Sequence, residues 1–232
     1  MTRTTGIILD EALNMNPAAP VAGIVDRSIH GNDGTFSHDV SGAGAIDPDW
    51  AQLSTKLWVT EYIKTEAQYT TFGTDASLEV HNRMSYEIWA NPSAFPGAGD
   101  FNGIMTSLKV TSREGFALQI NDVGQIQYYG GEGGTVVVNV TAAGLLTVGE
   151  WTQIVGTYDG TNIYLYVDGL FRDSIACVSV PIIVATEVGR SYGGEDDYYW
   201  NGYLSGARVY NYCMDSAQIA DRYNATKGLY GV

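Results

Sequence analysis

Ser191 to Asn201 reads SYGGEDDYYWN and sets four aromatic rings, Tyr192, Tyr198, Tyr199 and Trp200, beside three carboxylates, Glu195, Asp196 and Asp197. Rings of this kind pack on the C–H faces of sugars, while adjacent carboxylates accept hydrogen bonds from hydroxyls. The mixture favours glycan recognition, so Tyr192, Glu195, Asp196, Asp197, Tyr198 and Tyr199 are the candidate ligand-binding residues. Cleavage fits less well. Retaining glycoside hydrolysis needs two carboxyl groups about 5–5.5 Å apart, and consecutive acids in a Gly-flanked loop point away from one another. Glu87 stands alone on its strand, and His30, His38 and His81 form no triad with a serine in a nucleophile elbow. No catalytic residue is assigned.

Charge narrows the partners further. Twelve Lys and Arg against 26 Asp and Glu leave a formal net charge of -14 over 232 residues. Such a surface repels phosphate backbones and anionic lipid, which argues against nucleic acid as a partner. No stretch approaches the ~20 apolar residues of a membrane span, so no membrane insertion is expected. The opening MTRTTGIILDEALNMN has one short apolar run, Gly6 to Leu9, below the roughly 7–15 residues of a secretory signal. Cys177 and Cys213 have no metal spacing and read as buried free thiols, with a disulfide as the alternative.

The elements that must position these residues are strands. Met84, Tyr86, Ile88 and Ala90 alternate with Ser85, Glu87 and Trp89; Phe116, Leu118 and Ile120 alternate with polar or small neighbours; Val136, Val138 and Val140 alternate again. Within GEWTQIVGTYDGTNIYLYVDG, Ile163, Leu165 and Val167 share a face opposite Tyr164 and Tyr166, which line a concave sheet or meet solvent. Its two Asp-Gly corners, Asp159-Gly160 and Asp168-Gly169, make a three-stranded meander, because Gly accepts the positive φ of tight hairpin turns. With 28 Gly, 16 Tyr and 6 Pro, the pattern predicts an all-β fold of antiparallel sheets closed into a sandwich. One helix is expected over 215–226, with Asp215 as N-cap, Gln218 completing a capping box and Gly228 closing the end. No long linker or repeat divides the chain, so residues 1–232 read as one domain, with an N-terminal strand and arm over 1–20.

Four segments together resemble a known family. Trp151 to Gly169 is similar to the core meander of laminin-G-like, concanavalin-type jelly rolls. Asp26-Arg27-Ser28-Ile29-His30-Gly31-Asn32-Asp33-Gly34-Thr35 resembles the family's early loop, MSYEIWANP at 84–92 its strand ending in W-x-x-P, and Gly202 to Asn211 its late strand before a terminal helix. The resemblance implies a two-sheet jelly-roll sandwich with a short C-terminal helix. It also implies glycan or protein binding, with calcium in some members and glycoside hydrolysis in some relatives.

Each implication meets this sequence differently. The paired acids of the hydrolases, of the E-x-D-x-x-E type, have no counterpart here. A calcium site would use Asp26, Asn32 and Asp33, but the late-strand acid of the family is Ser205, which weakens it; the alternative is that Asn32-Asp33-Gly34 only makes a turn. Trp200 falls where the family keeps a core aromatic, and Trp58, Trp89 and Trp151 are expected in the core too. A jelly roll with no visible signal suggests a bacteriophage virion protein, a capsid decoration or tail-surface module made in the host cytoplasm. Its partners would be other virion proteins, host-surface glycans or further copies of itself. The alternatives are a secreted or cell-surface calcium-assisted lectin and, less favoured, a glycoside hydrolase.

Overall fold

The computed structural model describes residues 7–10, 23–39, 46–79, 82–109, 112, 114–132, 135–141, 143–178, 182, 184–192 and 197–232. Two eight-stranded antiparallel sheets carry most of them. Edge to edge, the first runs Leu170–Ala176, Asn162–Val167, Thr152–Tyr158, Met84–Pro92, Gly202–Tyr210, Trp58–Tyr62 and Asp49–Gln52, with Ile7–Asp10 also paired to Gly202–Tyr210. The second runs Thr135–Val140, Ile126–Glu132, Glu114–Asn121, Phe101–Lys109, Glu187–Val188, Gln68–Thr71, Gly34–His38 and Gly23–Ile24.

The meander at the centre of the first sheet shows how local chemistry sets register. Asp159 Oδ1 accepts the backbone N–H of Thr161 at 2.7 Å and of Asn162 at 2.8 Å, closing the first corner. At the second, Asp168 and Gly169 take φ of 53° and 75°, the double positive φ of a tight hairpin turn. This register turns Ile163, Leu165 and Val167 inward, each with 0% exposure. They join Met84, Tyr86, Ile88, Ala90 and Ile154, and meet Ile104, Phe116, Leu118, Ile120, Ile126 and Tyr128 from the other sheet. Trp200 is fully buried in the same core, as expected. Burying each large side chain contributes about 1.5–3 kcal/mol, so this shared layer is what holds the sheets together.

The outer face of the first sheet is covered by the helix Ser216–Tyr230. Its capping box forms as expected: Asp215 Oδ1 accepts Gln218 N–H at 2.9 Å and Gln218 Oε1 accepts Asp215 N–H at 3.0 Å. Its end differs from expectation. The helix passes through Gly228 and stops at Gly231, which takes the left-handed φ of 79°. The extra turn seats Tyr230 between Trp89 and Trp151, at ring-centroid distances of 4.2 and 4.9 Å. An interior Gly costs about 1 kcal/mol of helix propensity, less than the roughly 1.5–3 kcal/mol gained by burying an aromatic side chain. Trp89 and Trp151 are therefore buried, but beneath the helix and not between the sheets, while Trp58 is only half-buried. Tyr166 lies under the helix with Ile219, and half-buried Tyr164 donates its hydroxyl to Asp159 Oδ2 at 2.7 Å.

Under the same helix, Glu87 is not solitary. Its Oε1 accepts Gln153 Nε2 at 3.0 Å and lies 3.9 Å from Arg208; its Oε2 accepts the Tyr210 hydroxyl at 2.8 Å and Arg222 Nε at 2.6 Å. Burial, and then the Glu87 charge, push the Tyr210 hydroxyl well above its ordinary value. Both cysteines are free thiols, Cys177 buried and Cys213 half-buried. No helix among the described residues is long and apolar enough to cross a membrane.

Candidate functional site

Strands that bury every second side chain leave the alternate ones facing out. In the second sheet Phe116, Leu118 and Ile120 face the core, so Ala117 and Gln119 face the other way. Across the strands, Tyr129 pairs with Ala117, Ala117 with Thr106, Thr106 with Glu187 and Glu187 with Thr71, a row of small and hydroxylated residues around one carboxylate. Gln119 donates to Gln127 at 2.9 Å in the neighbouring row.

A short hairpin lies on this outer face. Arg190–Tyr192 pairs with Asp197–Tyr199, and Ser191 Oγ donates to Gln119 Oε1 at 3.1 Å. Gly103 makes the seat. A Cβ there would stand 2.0 Å from Ser191 N, 2.3 Å from the Arg190 carbonyl carbon and 2.5 Å from Tyr198 O. Only a glycine lets the hairpin backbone approach so closely.

The hairpin brings its tyrosines to a charged cluster drawn from distant parts of the chain. Arg190 places its guanidinium 4.6 Å from the Tyr69 ring centroid and 5.8 Å from that of Tyr199. Asp39 Oδ2 lies 2.9 Å from Arg190 and accepts the Tyr199 hydroxyl at 2.6 Å, and Glu187 approaches Arg190 at 3.9 Å. On the hairpin's other side Tyr198 packs on Phe101 at 5.1 Å. There Lys64 donates to Asp100, to Phe101 O at 3.2 Å and to Asn102 Oδ1 at 3.0 Å. Burial works against ionisation of Asp100, but the hydrogen bonds from Lys64 and from Phe101 N–H outweigh it and hold the carboxyl below its ordinary value. The result is a face that carries half-buried tyrosine rings and the carboxylate of Asp39.

Of the residues singled out from sequence, Tyr198 and Tyr199 stand half-buried on this surface. Tyr192 and Asp197 are placed by backbone pairing with each other, and Glu195 and Asp196 lie outside the described residues. Asp39, Tyr69, Glu187 and Arg190 were not foreseen. Asp39 and Tyr69 lie far along the chain from the Glu187–Arg190 pair, so no local motif joins them and only the fold assembles them.

The early loop also comes together. Asp26 accepts Ser28 N–H at 2.8 Å, Ser28 Oγ at 2.7 Å and Asn32 N–H at 2.7 Å, while Asp33 Oδ1 accepts Asp26 N–H at 2.9 Å. Asn32 Nδ2 donates to Ser77 Oγ at 2.9 Å. Calcium takes about six to eight oxygens, whereas these carboxylates face N–H and O–H donors in the manner of a turn lock. No group of three or more His, Cys, Asp or Glu among the described residues could hold a metal ion. Ser205, where the family has an acid, is buried and accepts the Tyr230 hydroxyl at 3.1 Å. The described loop does not fit a calcium ion by itself.

Two facing antiparallel sheets, with a meander in one and a terminal helix behind it, agree with a family model that matches residues 64–220. The chain belongs to the concanavalin A-like lectin/glucanases superfamily. No protein of curated function matches it in sequence. In structure, this superfamily member is similar to the binding domain of Paraclostridial Mosquitocidal Protein 1, with a TM-score of 0.71 and 11% identity over 97% of this chain and 55% of that one. The binding domain of botulinum neurotoxin serotype G gives a TM-score of 0.71 and 11% identity, over 95% of this chain and 51% of the other. A botulinum neurotoxin type C structure, for which cell entry depends on interaction with two ganglioside molecules, gives 0.67 and 13% over 95% and 51%. This chain spans about half the length of those it matches.

Proposed function

We propose that this chain is a non-catalytic carbohydrate-binding module whose binding face is the hairpin-bearing outer surface of the second sheet. The observation that carries this reading is the assembly of Tyr69 and Tyr199 around Arg190 and the hydrogen-bonding carboxylate of Asp39, with Tyr198 and Phe101 paired on the hairpin's other side. Aromatic rings supply the stacking area, and fixed polar groups orient hydroxyls. The superfamily and the ganglioside-dependent neighbour support sugar as the ligand class. Non-catalytic use is supported by the acids themselves. Asp39 and Glu187 both attend one guanidinium, and Glu87 is sealed at 0% exposure beneath the helix, out of reach of any substrate.

A glycan array probed with the purified protein, with and without calcium, tests the reading. Tyr199→Ala and Tyr198→Ala are expected to weaken a positive signal about tenfold or more, as loss of a central aromatic contact does. No binding in either condition overturns it. Dependence on calcium would show that a bound ion takes part in recognition, and Asp26→Asn and Asp33→Asn would test whether the early loop holds it. The setting we propose is attachment at a virion surface, and mass spectrometry of purified particles tests that part; absence of the chain from them overturns it.

A further inference from the structure

From the way Arg190 and Lys64 are engaged, we infer that this face selects neutral glycans and rejects sialylated or sulfated ones, an inference that rests on the carbohydrate-binding reading above. Anionic sugars are captured by arginine or lysine donors whose charge is available to the ligand. The described cations beside the hairpin are Arg190 and Lys64. Arg190 is 13% exposed in its side chain, held by Asp39 at 2.9 Å and approached by Glu187 at 3.9 Å, with the rings of Tyr69 and Tyr199 nearby. Lys64 is bound to Asp100, Phe101 O and Asn102. Two cations therefore stand among three carboxylates, inside a chain of formal net charge -14.

A sugar carboxylate or sulfate reaching Arg190 would have to compete with Asp39 for the guanidinium. It would also meet the field of Asp39 and Glu187 at close range, and like charges juxtaposed in an interface are strongly unfavourable. Uncharged hydroxyls meet the opposite situation. A carboxylate that already binds a guanidinium keeps further acceptor positions, and Asp39, with a side chain 38% exposed, can present them. A neutral oligosaccharide is thus offered acceptors and tyrosine rings without any charge having to move.

The test compares neutral hexose and N-acetylhexosamine oligosaccharides with their sialylated and sulfated counterparts on the same array. Wild-type protein is expected to bind the neutral set, with the anionic set at least roughly 100-fold weaker, and the neutral signal is expected to change little between low and high salt. Asp39→Asn removes the charge that holds Arg190 and is expected to raise anionic binding. Should that variant fold poorly, the wild-type salt series decides alone, because a neutral ligand gives a flat series and an anionic one a steep fall. Equal or stronger binding of the anionic set by wild type overturns this inference and leaves carbohydrate binding standing. Binding of neither set overturns both.

Discussion

Removing the carboxylate of Glu87 should be strongly destabilising, although the residue touches no ligand surface. Glu87 sits at 0% exposure between Arg208, which is 8% exposed, and Arg222, which reaches down from the helix at 2.6 Å. It also accepts hydrogen bonds from Gln153 and Tyr210. Glu87→Ala strands the buried Arg208 guanidinium, takes the partner from half-buried Arg222 and removes the acceptor from two further donors. Breaking a buried ion pair by deleting one partner costs about 3–5 kcal/mol. For a chain of this size each kcal/mol moves Tm by about 2–4 °C, so the expected drop is about 6–20 °C. The assay is thermal or urea unfolding followed by near-UV circular dichroism, with Arg222→Ala and the double variant completing a cycle. Coupling between the two sites should be clearly measurable, because they share one hydrogen bond. Replacing Glu87, Arg208 and Arg222 together by apolar residues should recover most of the loss, since the pair's own desolvation cost vanishes with it. A Glu87→Ala loss below about 1 kcal/mol would refute the reasoning and show that water or rearrangement serves the arginines there.

The other predictions concern the hairpin, the helix end and the first corner. Gly103→Ala should dislodge the hairpin, because its Cβ would meet Ser191 N at 2.0 Å; glycan binding should fall while the far-UV spectrum stays that of a β-protein, and unchanged binding would place the site elsewhere. Tyr230→Ala should cost about 3–5 kcal/mol and alter the fluorescence of the stacked Trp89 and the tilted Trp151; Trp151→Ala should cost a comparable amount and be less than additive with it. Burial alone would raise the Asp159 carboxyl, but hydrogen bonds from the Tyr164 hydroxyl, the Asn162 and Thr161 N–H groups and the Thr161 hydroxyl bring it down to about 2. A depressed carboxyl stabilises the fold fully above its unfolded value of 3.8 and loses that contribution as pH falls through about 2. Asp159→Asn should therefore flatten the stability profile across that window, as read by denaturant midpoints at each pH.

Alternation alone was enough to place Ile163, Leu165, Val167, Phe116, Leu118 and Ile120 in a shared core, because a period of two tolerates only one inward face. The Asp-Gly corners and the Asp215–Gln218 capping box were likewise readable, since each is closed by atoms a few residues apart. The end of the helix was not. Gly228 looks like a terminator locally, and only the pocket between Trp89 and Trp151, built by other strands, carries the helix on to Gly231. Glu87 looked solitary for the same reason, since its arginines arrive from positions 208 and 222. The candidate site divides along this line. Tyr198 and Tyr199 announce themselves as an aromatic pair, whereas Asp39, Tyr69 and the Glu187–Arg190 stretch meet only because the fold brings three separate segments onto one face. Local chemistry is written in neighbouring residues; which charges share a surface is decided by sheet order, which no short segment contains.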